Sequence, residues 1–272
     1  MSCWIYPRKI KGGVCLNQYW EQRKYNEQMA LLNTSEQKLL NRLRREYLRM
    51  QKEIIADLEN LYYKILAEGG SDVALTSHLY QFNGYYETLN HIQQKLIEMG
   101  SNNIETIESS FTKLYKDNGN RITKQFNLPF DDSAAKDVVN KIWAPDKKVW
   151  STRIWEHQGQ LRNRLNNTLI DAVARGVNPD TLVKNLMVDF GVGFYEAQRL
   201  VRTEENYILN QSAVEGYKDA GVEYFEVLSD QAHDEECSPM NGKRFRLEDM
   251  QVGVNCPPFH PNCRCCVLGV LD

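Results

Sequence analysis

From residue 34 to residue 68 the chain carries one unbroken apolar stripe. Leu40, Leu43, Tyr47, Met50, Ile54, Leu58, Leu61 and Ile65 follow one another at steps of three and four. Steps of that size return to the same face of an α-helix, so the stripe runs for about seven turns. No proline falls within it. Thr34 and Gln37 have the spacing of a capping box, in which each side chain answers the other's open backbone N–H. Gly69-Gly70 offers the left-handed conformation in which helices end. The expectation is therefore a helix over 34–68. A face this long and narrow has to be covered, either by other helices of the chain or by a second copy in a coiled-coil seam, so helix-mediated self-association is also expected as one route.

Glycine and proline divide the rest. Residues 1–16 read as an extended lead, and 17–33 as helical. Residues 72–125 hold more helical pattern, with Gly100 and Gly119 as stops. Between 127 and 157 the composition changes: Pro129 and Pro145 fall there, with Trp143, Trp150 and Trp155, and a junction is expected near 120–130. Helical patterns follow, one ending at Gly176, one opening at Pro179 and ending at Gly191, and one over 194–221. The segment VEYFEVLSD at 222–230 then switches to period two with β-branched and aromatic residues, the pattern of a strand; 242–250 reads as a second, shorter strand or turn. The expected fold is mainly α: an elongated N-terminal helical arm or bundle over 17–125, and a small α+β C-terminal domain over 126–272.

The formal net charge of −3 gives no global field for nucleic acid or anionic lipid. A local basic run, Arg42, Arg44, Arg45, Arg49 and Lys52, keeps open a DNA-binding accessory protein. No apolar run reaches the length that spans a bilayer, and MSCWIYPRKIKGG lacks the apolar core of a signal peptide. A reducing cytoplasm, where disulfides are rare, is the expected compartment, and seven cysteines do not pair evenly.

The segment NCPPFHPNCRCC, residues 255–266, concentrates four of the seven cysteines and three of the eight prolines. Cys237, Cys256, His260, Cys263, Cys265 and Cys266 are potential metal ligands, with His233 and Asp234 near the first. Structural zinc takes four nitrogen or sulfur ligands, usually from two short turns. His260-x-x-Cys263 has the spacing of one turn. Cys237 would open the other, but Met240 stands where a Cys-x-x-Cys knuckle has its second cysteine, so Cys256 or Cys265 would have to supply the missing ligand. The competing readings are a tight irregular loop, stiffened by Pro257, Pro258 and Pro261, with the cysteines packing as small apolar residues, and a disulfide that forms after release from the cell. Catalysis finds little support: there is no glycine-rich nucleophile turn and no phosphate-binding loop, so a non-enzyme is expected. A small zinc-dependent hydrolase, with Asp234 or Glu235 as base, remains as an alternative. Arg202 and Glu205, three apart on a helix, read as an ion pair on its face, against the sharper readings of a buried Arg–Glu clamp or a catalytic glutamate.

The ordered set from residue 199 onward resembles the phage minor head proteins of the Mu F-like head-morphogenesis family, and more loosely YWEQR at 19–23 with the basic helix after it, WSTRIW at 150–155 and RGVNPDTLVKNL resemble the members from phages of Gram-positive hosts. That family's pattern places Arg-Thr-Glu on a helix, then a strand, a cysteine-bearing turn, a [DN]-G-[KR]-x-F step, and Asn-x-Pro-Pro-x-His-Pro-x-Cys-Arg. Here these are Arg202, Thr203 and Glu204; Cys237; Asn241, Gly242, Lys243 and Phe245; then Asn255, Pro257, Pro258, His260, Pro261, Cys263 and Arg264. The chain departs from the many members that carry Cys-x-x-Cys where it has Cys237 and Met240. The resemblance implies a structural protein of the virion, inside the capsid near the portal and in the host cytoplasm during assembly. Its implied partners are the portal protein, capsid or scaffolding protein and packaged DNA, with no membrane during assembly. It implies roles in head assembly and DNA delivery, with Arg202, Glu204, Asn255 and Arg264 as scaffold residues.

Overall fold

A computed structural model describes residues 14–69, 83–229 and 236–271. The fold is mainly α, with a small antiparallel sheet near the C-terminus. Five helices are described: α1 (Val14–Gly69), α2 (Asn83–Thr123), α3 (Ala135–Val139), α4 (Trp150–Arg175) and α5 (Pro179–Asp219). Three strands follow, β1 (Tyr224–Leu228), β2 (Arg244–Arg246) and β3 (Cys266–Val270).

The stripe forms a helix, but not one that starts at Thr34. α1 is continuous from Val14, so residues 14–16 are helical rather than an extended lead, and the expected capping box is overturned. Thr34 lies mid-helix, where its hydroxyl donates back to the Ala30 carbonyl, 2.7 Å away. The buried phase also shifts by one residue at its start: Leu32, Glu36, Leu39 and Leu43 lead into Tyr47, Met50, Ile54, Leu58 and Leu61. A carboxylate therefore occupies a core position of the stripe. Residues 1–13, Gly70 and the pattern expected over 72–82 lie outside the described residues.

Three expected helix stops are also corrected. α2 runs through Gly100, and the glycine serves packing: a Cβ there would stand 2.5 Å from Trp155 Cζ3. Gly119 is likewise internal to α2, with the Phe130 ring where its Cβ would be. α5 runs straight through Gly191, where a Cβ would meet open space, so one helix replaces the two expected. An exposed helical glycine weakens a helix by about 1 kcal/mol, which the flanking burial outweighs.

The chain forms two compact units and visits them alternately. One takes 40–107 and 150–198. Its hydrophobic cluster is built from helices: Met50, Ile54 and Leu58 of α1, Ile92, Leu96 and Met99 of α2, Leu161, Leu165 and Leu169 of α4, and Leu182, Leu186 and Phe190 of α5. The apolar stripe from Tyr47 onward is thus covered within this unit.

The other unit takes 14–39, 108–149 and 199–271 of the described residues. Its sheet has the order β2-β1-β3, with Phe225 opposite Phe245 on one side and Gly269 on the other. Gly269 lets β3 lie close on α5, since a Cβ there would stand 2.6 Å from the Tyr217 ring. β3 was not foreseen from the sequence, because CVLGV follows the cysteine loop without a turn signal. Residues 204–214 of α5 are buried on every side, although six of the eleven are polar: Glu204, Glu205, Asn206, Asn210, Gln211 and Ser212. Buried polar groups need partners, and here they are Trp143, Ser35, Asn118, Met250 and, for Asn206 and Asn210, the backbone of 265–267.

Candidate functional site

The loop 255–266 is held on α5 and on the first half of α1 by side chains that reach its backbone. Each bond follows from a residue type placed one helical turn from the next. Thr203 donates its hydroxyl to the Arg199 carbonyl at 2.8 Å and accepts the Asn262 N–H at 3.0 Å. Asn262 has a positive φ of 62°, a left-handed conformation that asparagine tolerates. Asn206 donates to the Cys265 carbonyl at 3.0 Å. Asn210, one turn on, donates to the same carbonyl at 3.2 Å and accepts the Val267 N–H at 2.9 Å. Asn210 thereby does for β3 what a neighbouring strand would do. From α1, the Tyr25 hydroxyl donates to the Arg264 carbonyl at 3.2 Å and Gln28 donates to the Val267 carbonyl at 2.9 Å. Side chains of two helices thus grip the segment 262–267.

An ionic cluster closes the same joint. The buried Glu36 carboxylate accepts from Arg202 Nε at 2.6 Å through one oxygen and from Arg264 Nη2 at 2.5 Å through the other. Two of the motif's arginines thus share one carboxylate contributed by α1. This corrects the ion pair expected between Arg202 and Glu205. Glu205 instead accepts from the Ser35 hydroxyl at 2.7 Å. Burial pushes its carboxyl up to about 8, with the neighbouring Glu36 charge adding to the shift, so at neutral pH the group is mostly protonated. Glu204 accepts from the Trp143 indole at 2.8 Å, and that indole stacks on Tyr207 with ring centroids 4.9 Å apart.

The remaining motif residues build the turns on either side. Gly242 has φ 73°, and its N–H donates to the Val227 carbonyl at 2.8 Å; Lys243 returns its carbonyl to the Val227 N–H at 2.9 Å. Asn241 Oδ1 accepts the Ser229 N–H at 2.9 Å, and Phe245 packs on Phe225. Asn255 accepts from the Gln251 N–H at 2.7 Å and donates to the Asp249 carbonyl at 2.9 Å, closing the loop before the prolines. The Pro257–Pro258 peptide is cis.

Of the expected metal ligands, the structure brings together Cys237, His260 and Cys263, whose ligand atoms all lie within 4.8 Å of one another. Cys237 Sγ is 2.9 Å from His260 Nε2 and 3.6 Å from Cys263 Sγ. Cys256 lies outside this group, with its thiol against the Pro257 carbonyl. Met240 packs at the edge of the unit's core, and Lys243 Nζ approaches its sulfur at 3.8 Å. His233, Asp234 and Glu235 lie outside the described residues. The basic run on α1 is an exposed helix face, on which Arg49 is already engaged by Glu46, Glu53 and Glu98.

Sequence reasoning missed Tyr25, Gln28, Ser35, Glu36, Asn206 and Asn210. Two signals were present. Glu36 falls in phase with the apolar stripe, three residues before Leu39 and four after Leu32. And α5 carries Glu204, Glu205, Asn206 and Asn210 on several faces of one turn and the next, which leaves no fully apolar side for packing.

The family model described as phage Mu protein F like protein matches residues 163–268. No curated protein and no solved structure matches the chain.

Proposed function

From a chain whose residues 163–268 are Mu F-like, and so carry the mark of a phage head-morphogenesis protein, we propose a minor head protein that works by docking rather than by catalysis. It sits inside the capsid near the portal, takes part in head assembly and accompanies DNA delivery. The observation that carries this reading is the family match together with what the motif's polar side chains do. Thr203, Asn241 and Asn255 hold backbone of their own unit, Arg202 and Arg264 hold Glu36, and Glu204 holds Trp143. Side chains spent in this way make a fixed shape. A fixed shape suits a partner surface, because little ordering remains to oppose association. No helix among the described residues is long and apolar enough to cross a membrane, which agrees with a place in the particle.

The test is quantitative mass spectrometry on purified procapsids and virions of the phage that encodes the chain, with cross-linking to the portal protein. A few copies per particle and cross-links from this chain to the portal are expected. Absence from heads at every stage of assembly would overturn the reading.

A further inference from the structure

We propose that Cys237, His260, Cys263 and Cys265 form a zinc site of three sulfurs and one nitrogen, with Cys265 supplying the ligand that Met240 does not. The inference goes beyond the head-protein reading and does not depend on it.

Three observations carry the first three ligands. The Cys237–Cys263 sulfur separation of 3.6 Å is close to the edge of a tetrahedron with zinc–sulfur bonds of about 2.3 Å, which is about 3.8 Å. The Cys237–His260 separation of 2.9 Å is a hydrogen-bond length, and the corresponding tetrahedral edge is about 3.6 Å, so the imidazole has to move by about 0.7 Å. The imidazole is also presented correctly. His260 Nδ1 lies 2.9 Å from the Pro261 carbonyl, and a carbonyl only accepts, so the proton sits on Nδ1 and the Nε2 lone pair faces the sulfurs. A backbone carbonyl orienting the far nitrogen is the usual outer partner of a metal-bound histidine.

The fourth ligand follows from the backbone. Cys263 and Cys265 are two apart on a segment running into β3, and alternate residues of an extended segment share a face. Cys266, the first residue of β3, turns the other way and is absent from the apolar cluster that holds the other four cysteines. Cys265 is buried in the same apolar cluster as Cys237 and Cys263, next to the three ligand atoms that lie within 4.8 Å of one another. Its carbonyl is pinned by Asn206 and Asn210, which holds in place the backbone from which the side chain departs. Sulfur-rich tetrahedral sites of this kind select zinc among the common divalent ions. Binding converts three thiols to thiolates and releases their protons to solvent, leaving the site with a net charge of −1 once the ion's +2 is added.

The site also accounts for the spacing that the sequence left unresolved. The knuckle opened by Cys237 needs no second cysteine at position 240, because the C-terminal turn supplies His260, Cys263 and Cys265 together. All four ligands are then on one side of the loop that Thr203, Asn206 and Asn210 hold in place.

The experiment uses the full chain purified under reducing conditions. Metal content is measured, zinc X-ray absorption is recorded on the unmutated protein, and cobalt(II) is substituted to read the thiolate bands. One zinc per chain with three sulfurs and one nitrogen is expected. Cys265→Ser should weaken zinc by more than the about 10–100-fold that loss of an outer partner brings, and should lower the cobalt–thiolate absorption, while Cys266→Ser leaves both unchanged. Two sulfurs with nitrogen or oxygen in the absorption spectrum would overturn the assignment of Cys265, whether or not the variant folds. A protein that holds no metal and takes up none from added zinc would overturn the site itself.

Discussion

Leu58 and Asn210 are both fully buried on long helices, one in each unit, and they are buried for opposite reasons. Leu58 belongs to a hydrophobic core whose helices supply their own backbone hydrogen bonds, and whose polar atoms are the hydroxyls of Tyr47, Tyr62 and Tyr85, each with a partner. Such a core needs only matching volume and phase. Asn210 is buried because Cys265 and Val267 present backbone groups that only a side chain can reach. That unit needs particular atoms at particular places. The first kind of packing tolerates exchange of similar volumes, and the second does not, since an orphaned buried group costs about 1–3 kcal/mol. Each of the following experiments strains that contrast, in order of expected effect.

Glu36→Ala leaves Arg202 and Arg264 facing each other across the joint without their shared carboxylate. Removing one partner of a buried ion pair costs roughly 3–5 kcal/mol, and the partial exposure of both arginines points to the lower end. Urea unfolding should show this loss, and an effect below about 1 kcal/mol would mean that the cluster is a surface pair in all but position.

Asn210→Leu keeps the volume and removes the hydrogen bonds. It should destabilise by about 2–3 kcal/mol, because the Val267 N–H loses its acceptor while Asn206 still serves the Cys265 carbonyl. A neutral result would show that β3 does not depend on α5 for its backbone partners.

Glu205 makes stability depend on pH. Its folded carboxyl titrates near 8 against an ordinary value of 4.5, so between those values the folded state holds a proton that the unfolded chain has lost. Stability contributed by Glu205 is therefore fully present below about pH 4.5 and falls as pH rises through 8, by a few kcal/mol at most (about 1.4 kcal/mol for each pH unit of the interval). Glu205→Gln should flatten the thermal melting profile between pH 5 and 8 and raise the melting temperature at the alkaline end. An unchanged slope would place the dependence on other groups.

Leu165→Met in the apolar core is the mildest change. Both side chains fill similar space, and the cost should stay below about 1.5 kcal/mol in the same urea assay. A larger loss would mean that this core is as demanding as the polar one.

The same contrast decides what the sequence could reveal. Apolar phase is a local signal, so the helix through Leu43, Tyr47 and Met50 was legible from spacing, as was the strand over Phe225 and Val227. The Mu F-like resemblance was legible in the order from Arg202 to Arg264, and the family model matches over 163–268, the span that holds those residues. Helix ends were misjudged where glycine served packing rather than termination, as at Gly100 against Trp155 and Gly119 against Phe130. The clamp was illegible for another reason. Glu36 and Arg264 are 228 positions apart, and nothing in either neighbourhood announces the other. The residues of α1 that grip the loop also lie well before the matched segment, so the motif shows what is held and not what holds it.

Residue-resolved hydrogen exchange on the amides of Asn262 and Val267 tests the polar clamp most directly. Both donate to side chains, Thr203 Oγ1 and Asn210 Oδ1, rather than to a neighbouring strand. If those side chains lock the loop, both amides exchange only as slowly as the β1 core in the intact protein. In Asn210→Ala, Val267 then loses protection while amides around Leu58 keep theirs. Fast exchange at 262 and 267 in the intact protein, or protection of Val267 that survives loss of Asn210, would contradict the account.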